Sequence, residues 1–348
     1  AAGCGSGGAV SVIAWLEKTM TMLPSTSTTT AMATATATTS PASQCWQAIL
    51  QSRDELGRTP LATAIAAGNR EAVQYLVGHM SSPSEVHVVD RKGRTLLHLA
   101  AGASQGVLWS IPFLLREYSL SPAALDGSGD IPLHCAARAG APSAVVQALC
   151  EAGCFVDQAN QPLGRTALHL ACLGGFSDTV LGLLSQGAAI ACSDANGQNA
   201  LHHCVSGSGG GRAGLLGKML SHMRETISHS AEWESILCQR DKQQQTPLHI
   251  AAARGRGSLC SALLQHWPPA LSKRLLTIRN GNDGNGLAAL EICLTMGGVM
   301  IGGVVRSAPS ESEGEDMKPY LSTAVALTAA WKGATSLWLL PEEEEGEE

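Results

Sequence analysis

Short apolar segments of two kinds alternate along most of the chain, from about residue 54 to residue 297. Segments of the first kind are dense in leucine and alanine, as in the run Ala-Leu-His-Leu-Ala-Cys at 167–172. Segments of the second kind place apolar residues three and four positions apart, as at Val145, Val146 and Leu149, which is the spacing of one buried helix face. Glycines follow the first segment at Gly68, Gly140, Gly175, Gly255 and Gly297. The pattern predicts pairs of short helices joined by tight turns.

The first segment belongs to a phrase that occurs seven times. Its copies begin at Thr59, Thr95, Ile131, Thr166, Asn199, Thr246 and Ala288, at intervals of 36, 36, 35, 33, 47 and 42 residues. An aspartate stands five residues before each start except at Gln161, and a glycine stands two residues before each start except at Gln244. A period near ~33 residues that carries Thr-Pro-Leu-His-x-Ala resembles the ankyrin repeat. Because Gln244 replaces the turn glycine, we expect a distorted turn before the Thr246 copy.

The resemblance covers roughly residues 45–340 and implies the fold class. It implies an all-α ankyrin-repeat solenoid of about seven helix-turn-helix repeats with short β-turn fingers. The aspartate accepts hydrogen bonds from the N–H groups of its turn, and the threonine caps the first helix. Repeats this short cannot bury their own apolar face, so they are stabilised by stacking on their neighbours. A leucine of the repeated phrase, such as Leu168, is therefore expected to be fully buried.

Composition divides the chain into the repeat array and its flanking segments. We predict a disordered Ser/Thr/Ala/Gly-rich leader at 1–44, the array at 45–306 with insertions near 206–212 and 225–239, an acidic linker at 307–322, a degenerate capping repeat at 323–340 and an acidic tail at 341–348. Both insertions are interpreted as tolerated loops, with a role in binding as the alternative. The chain begins with alanine rather than methionine, which leaves open that it is a processed form or a fragment of a larger protein.

Composition and charge narrow the classes of function. Aromatic residues make up only 4% of the 348 residues, which suits a slim helical stack. The eleven cysteines show no paired framework, so we expect reduced thiols and an intracellular protein, cytoplasmic or nuclear. No apolar run reaches the ~18 residues that a membrane span needs. The net charge of −6 divides into −8 over residues 307–348 and +2 over residues 1–306, which argues against nucleic acid as a partner.

Histidine and cysteine are the residues that would signal catalysis or a metal. The resemblance implies a structural role for the five histidines that share one repeat position, His98, His134, His169, His202 and His249. The alternative is a zinc site at His202-His203-Cys204 with Cys172 or Cys192, which lacks the paired ligand spacing of known zinc sites. The sequence contains no nucleophile elbow, P-loop or H-E-x-x-H motif. We predict no catalytic residue, no cofactor and no metal.

The turn tips, which project as fingers in ankyrin arrays, carry the candidate binding residues. They are Arg58, Arg91, Lys92, Arg94, Arg165 and Lys242. Arginine binds carboxylates through paired N–H donors, so this basic row predicts an acidic segment in the protein partner. The alternative is a solvated row of charges with no binding role. Ser310 and Ser312 directly precede acidic residues and are candidate phosphorylation sites.

These features together predict a non-enzymatic protein–protein interaction scaffold or adaptor. It would bind a partner through the finger tips and the concave first-helix face. The first alternative is a recognition module of a larger enzyme or channel whose active part lies outside this chain. The second alternative is a metal-dependent protein that uses His203 and Cys204.

Overall fold

The computed structural model describes residues 47–80, 82, 86–103, 108–208, 211–227, 229–265, 267–281, 287–296, 319–320 and 322–330. The predicted leader and acidic tail, most of the acidic linker, and the candidate sites Ser310 and Ser312 lie outside the described residues. The chain divides into two compact units, residues 1–155 and residues 156–348. Regular structure among the described residues is helical, apart from an isolated antiparallel bridge between Arg279 and Ala288.

The helices follow one another along each unit, and most of them form pairs of a first and a second helix of one repeat. The described part of unit 1 begins with helical residues 47–51 and continues with α1 (Pro60–Ala66), α2 (Arg70–Gly78), α3 (Leu96–Gly102), α4 (Ser110–Tyr118), α5 (Pro132–Ala139) and α6 (Ser143–Glu151). Unit 2 contains α7 (Ala167–Gly174), α8 (Ser177–Ser185), α9 (Ala200–Ser206), α10 (Arg212–Thr226), α11 (Ser230–Leu237), α12 (Pro247–Ala253), α13 (Gly257–Gln265), α14 (Pro269–Thr277) and α15 (Ala289–Met296), followed by helical residues 319–320 and 322–330.

Within each unit, the described repeats bury apolar residues between their own two helices and against adjacent repeats of the same unit. In the fourth copy, Thr166 precedes α7, and every residue from Ala167 to Cys172 is buried. Leu168 has no exposed surface, and α8 buries Val180 and Leu183 on the face turned to α7. α7 also packs on α9, the first helix of the next copy. The predicted solenoid of helix-turn-helix repeats is confirmed.

The aspartate of the repeat organises the turn before each first helix. Oδ1 of Asp194 accepts the N–H groups of Asn196 at 2.8 Å and Gln198 at 3.0 Å. The backbone N–H of Asp194 donates to the carbonyl of Gln198 at 2.9 Å, which closes the turn. Gly197 within it has φ +77°, a left-handed conformation that glycine adopts without steric cost. The same bonds form around Asp54, Asp90, Asp126 and Asp241.

The fourth copy has Gln161 where the other copies have aspartate, because its turn contains one additional residue. Oδ1 of Asn160 accepts the N–H of Arg165 at 2.8 Å, five residues on rather than four. The backbone of Asn160 also bonds to Arg165 and Gly164, at 2.9 Å in each case. The peptide bond between Gln161 and Pro162 is cis. Asn160 therefore takes the place of the aspartate, six residues before Thr166 instead of five.

The expectation of a distorted turn before Thr246 is wrong. Asp241 accepts the N–H groups of Gln243 at 2.9 Å and Gln245 at 2.8 Å, as in the other turns. Gln244 itself adopts φ +61°, the left-handed conformation of the glycine that it replaces. Because a side chain in this conformation is strained, the turn keeps its geometry at a cost in stability.

The segment 225–239, interpreted as an inserted loop, is largely helical. α10 extends over 15 residues, compared with nine for α8, and α11 follows it directly. Trp233 of α11 packs against Trp267 with ring centroids 5.3 Å apart. Nδ2 of Asn199 donates to the carbonyl of Ile236 at 2.9 Å, which ties α11 to the start of α9. The additional helix is thus part of the packed array.

Residues 323–330, the described part of the predicted capping repeat at 323–340, lie beside the second helix of the sixth copy. A Cβ atom placed on Gly257, at the start of α13, would lie 3.1 Å from Cα of Thr323. Thr323, Ala324 and Leu327 are buried. Since α15 packs on α12, the first helix of the sixth copy, this arrangement favours residues 322–330 as the second helix of the seventh copy rather than as a further repeat.

Candidate partner-binding surface

Two of the repeated histidines, His98 and His169, form hydrogen bonds that connect successive turns. Nδ1 of His98 accepts the N–H of Thr95 at 3.2 Å, and Nε2 donates to the carbonyl of Asp130 in the next turn at 2.9 Å. His169 bonds in the same way to Thr166 and to the carbonyl of Cys192, at 3.0 Å each. Burial lowers the pKa of both imidazoles below the ordinary value, so they are neutral. Their role is structural, as the resemblance implied.

His203 and Cys204, the residues of the metal alternative, are both buried. Nε2 of His203 donates to Oδ2 of Asp194 at 3.0 Å, and its ring meets His169 edge to face. Burial, together with the nearby His169, lowers the pKa of His203 to about 4. Burial raises the pKa of the Cys204 thiol to about 12. Within the described part of the chain, no three His, Cys, Asp or Glu side chains group to hold a metal ion.

Three arginines of the predicted basic row interact with the aspartate of a turn. Nε and Nη2 of Arg58 both lie 2.8 Å from Oδ2 of Asp54. Arg94 holds Oδ2 of Asp90 in the same way, at 2.8 and 2.7 Å. In unit 2, Nε of Arg165 lies 3.6 Å from Oδ2 of Asp194. Arg58 and Arg94 thus help to hold their own turns in place, and Arg165 contacts the aspartate of the next turn, which the sequence pattern did not reveal.

The other three basic residues of the row point to solvent. Arg91 and Lys92 are exposed on a finger of unit 1, and Lys242 is exposed on a finger of unit 2. None of the three forms an ion pair with a described residue. Their backbones nevertheless fix the fingers, since the N–H of Arg91 donates to the carbonyl of Leu56 at 3.0 Å. Leu56 itself is exposed, so the fingers of the first and second copies present cationic and aliphatic side chains together.

A groove of about 300 Å³ lies between the fingers and the first helices of unit 1. It is lined by Arg58, Ala66, Arg94, His98, Leu99, Gly102, Ala103, Cys135, Arg138 and Ala139. Nη2 of Arg138 lies 2.6 Å from Oδ2 of Asp130. We did not predict Arg138 as a site residue. The signal was present, because the third copy carries Asp130 where the first two carry arginine and Arg138 where they carry Ala66 and Gly102.

A second groove, of about 240 Å³, lies within unit 2. Its polar lining residues are Arg165, Gln198, His203, Ser206, Asp241, Gln243, Gln245 and Arg254. Nε2 of Gln198 donates to Oδ2 of Asp241 at 3.0 Å. This groove therefore contains side-chain amides and a buried carboxylate, whereas the groove of unit 1 contains three guanidinium groups and no carboxylate.

Arg212, at the end of the 206–212 insertion, is a structural residue that we did not predict. It is only 4% exposed, and its guanidinium donates to the carbonyls of Cys172 at 2.8 Å, Leu173 at 2.7 Å and Cys204 at 3.1 Å. These carbonyls belong to the last turns of α7 and α9, which lack intrahelical partners. A larger cavity of about 690 Å³ adjoins Arg212 and Arg256, but Arg256 likewise bonds to the carbonyl of Val205 at 2.9 Å.

Comparison with known proteins agrees with this architecture. A family model for ankyrin repeats (3 copies) matches residues 40–123, 103–194 and 133–216. Human B-cell lymphoma 3 protein is 34% identical over 162 residues, which are 45% of this chain and 35% of that protein. The p105 subunit of nuclear factor NF-kappa-B from Gallus gallus is 32% identical over 123 residues, 35% of this chain and 12% of that protein.

Two further similarities extend the comparison. The human transient receptor potential cation channel subfamily A member 1 is 28% identical over 191 residues, 44% of this chain and 17% of the channel. The solved ankyrin repeat domain of Bcl-3, described as a unique member of the IkappaB protein family, aligns with a TM-score of 0.50 and 25% identity over 68% of this chain and 95% of that domain. The matched region thus spans between 12% and 35% of the three full-length relatives. None of the helices in the described residues has the length and hydropathy needed to cross a membrane.

Proposed function

The chain belongs to the ankyrin-repeat family, and from that premise we propose that it is a non-enzymatic scaffold or adaptor that binds a protein partner. Arrays of this kind serve as protein-interaction modules, with partners that differ from one protein to the next. The binding surface that we propose consists of the finger tips and the face of the first helices. We place the protein inside the cell, in the cytoplasm or nucleus, a proposal supported by its similarity to a subunit of a nuclear factor.

The observation that carries the proposal is the division of the basic residues into two groups. Arg58 and Arg94 are bonded to the aspartates of their own turns, whereas Arg91, Lys92 and Lys242 are exposed on the fingers. The side chains of the exposed group form no ion pair or hydrogen bond with a described residue. Exposed cations beside an exposed leucine are suited to a partner that offers carboxylates and apolar side chains.

The test is co-purification with the tagged full chain and two charge-matched variants. The finger variant is Arg91→Gln/Lys92→Gln/Lys242→Gln, which leaves the turn-bonding arginines in place. The control is Arg116→Gln/Lys218→Gln/Arg224→Gln, whose side chains are exposed on the second helices α4 and α10. Proteins that bind the wild type and the control but are depleted from the finger variant support the proposal. Equal recovery by all three proteins would contradict it.

A second candidate is a recognition module of a larger enzyme or channel. It is favoured by the similarity to a cation channel, in which the matched region makes up 17% of the length. The two candidates differ in what lies outside this chain. Sequencing of the complete transcript decides between them, because a module would be followed or preceded by a catalytic or membrane domain.

A further inference from the structure

We propose that the groove of unit 1 is a carboxylate-binding site that receives an acidic segment of the protein partner. Three guanidinium groups would bind it, those of Arg58, Arg94 and Arg138. This inference rests on the proposed function, because it names the chemistry of the partner at part of the same surface. It also adds Arg138, which lies on α5 rather than on a finger tip.

Two of the three ion pairs in the groove turn their positive ends toward the solvent, whereas in the third the side chain of Asp54 is 34% exposed and that of Arg58 is 25% exposed. The side chain of Asp90 is 1% exposed, whereas that of its partner Arg94 is 27% exposed. The side chain of Asp130 is also 1% exposed, and that of Arg138 is 55% exposed. Each pair is neutral overall, but at Arg94 and Arg138 a molecule in the groove meets the guanidinium group before the buried carboxylate. Since charges in contact with a ligand act more strongly than charges buried behind them, the groove attracts anions.

The guanidinium groups are held in place and keep free donors. Oδ1 of Asp90 accepts the backbone N–H groups of Lys92 and Arg94, at 2.9 Å each, which fixes the carboxylate. Oδ2 then binds Nε and Nη2 of Arg94. A guanidinium group has five N–H donors, and Nη1 of Arg94 has no hydrogen-bond partner among the described residues. The same holds for Nη1 of Arg58 and for Nη1 and Nε of Arg138.

The floor of the groove adds neither negative charge nor bulk. Ala66, Gly102, Ala103 and Ala139 are small and leave the groove open. Cys135 also lines it, and burial raises the pKa of its thiol to about 12, so the thiol is neutral at physiological pH. Space for short side chains beside three oriented donor groups is what a carboxylate-bearing peptide requires.

The experiment measures binding of a labelled acidic peptide to the full chain by fluorescence anisotropy. The probe is a fluorescein-labelled ten-residue peptide with six glutamates and four serines, and the matched peptide carries glutamine in place of glutamate. We expect the glutamate peptide to bind and the glutamine peptide not to bind. The affinity should fall as salt is raised from 50 to 300 mM, because salt screens exposed charges.

The variant Arg138→Gln should weaken the glutamate peptide by about fivefold, equivalent to about 1 kcal/mol. The control Arg116→Gln removes the same charge from the exposed face of α4 and should change the affinity by less than about twofold. Because Arg138→Gln leaves the buried Asp130 carboxylate without its ion pair, the double variant Asp130→Asn/Arg138→Gln is measured as well. It should show the same loss with an unchanged melting temperature.

Equal binding of the two peptides, or wild-type affinity in both Arg138 variants, would overturn the inference. These outcomes are distinct from failure of the proposed function. A partner that depends on Arg91, Lys92 and Lys242 but binds the Arg138 variants normally would leave the scaffold proposal standing and refute this groove as its site.

Discussion

Replacement of Arg212 by methionine provides a direct test of how the 206–212 insertion is built into the array. Methionine retains much of the apolar volume of the side chain but donates no hydrogen bonds. The carbonyls of Cys172, Leu173 and Cys204 would lose the donors that now lie 2.7 to 3.1 Å away. Cys172 and Cys204 are fully buried, so water cannot readily replace the guanidinium there.

The expected loss follows from the bonds that disappear. A buried carbonyl left without a donor costs roughly 1–3 kcal/mol, and removal of the buried charge offsets part of that cost. We therefore expect Arg212→Met to lower the free energy of unfolding by about 3 kcal/mol. With a urea m-value of about 1–3 kcal/mol/M, the unfolding midpoint should fall by about 1 M or more.

The assay is urea denaturation of the full chain, followed by circular dichroism at 222 nm. Arg224→Met is the matched control, because Arg224 lies on the same helix α10 and is exposed. It should change the stability by less than about 0.5 kcal/mol. If Arg212→Met shifted the midpoint no more than this control, the carbonyl bonds would not stabilise the array, and the insertion would be the tolerated loop that the sequence indicated.

Further predictions concern the core, a turn, a buried histidine and the acidic segment. Leu168→Ala, at a fully buried position, should cost ~2–5 kcal/mol in chemical denaturation, and a loss below about 0.5 kcal/mol would contradict the repeat register. Gln244→Gly should raise the free energy of unfolding by up to about 1 kcal/mol by relieving its φ of +61°, whereas a loss would contradict the strain. Because the pKa of His203 falls from 6.5 to about 4 on folding, its contribution to stability is complete above pH 6.5 and is lost as the pH falls toward 4. The variant His203→Gln should therefore show a smaller change of unfolding free energy with pH between 6.5 and 4, and an unchanged slope would refute the assignment. If residues 307–348 compete with an acidic partner for its site, replacing Glu311, Glu313, Glu315 and Asp316 by their amides should strengthen binding of that partner, and phosphorylation of Ser310 and Ser312 should weaken it. Equal affinities of the wild type and the amide variant for the partner would refute that competition.

The repeat register was predictable because each copy has the same local requirements. Leu168 is buried and Asp194 closes its turn for reasons that recur in most of the described repeats, so most copies show the same sequence pattern. The role of Asn160 was not predicted, because one additional residue in its turn places it six rather than five residues before Thr166. The roles of the finger arginines were also hidden, since a sequence does not show that Arg94 bonds to Asp90 while Arg91 remains exposed.

Long-range contacts explain what the sequence did not reveal. The acceptors of Arg212 on α7 lie 39 and 40 residues before it, and no spacing rule connects an arginine to backbone carbonyls at that distance. Arg138 was detectable only as a departure from the repeat, because the third copy carries Asp130 in place of arginine and Arg138 in place of a small residue. The shape of the groove of unit 1 comes from the repeat register, and its charge comes from Arg58 and Arg94 at one repeat position together with Arg138 of the third copy.

The most direct test of the proposed scaffold function is site-specific photo-crosslinking in cells. A photoreactive phenylalanine analogue is placed in the full chain at Arg91, on a finger, or at Arg116, on the outer face of α4, where both side chains are exposed. We expect the analogue at position 91 to form a discrete adduct with a partner protein, and the analogue at position 116 to form none of that mass. Adducts of equal yield from both positions, or an adduct from position 116 alone, would contradict binding through the fingers.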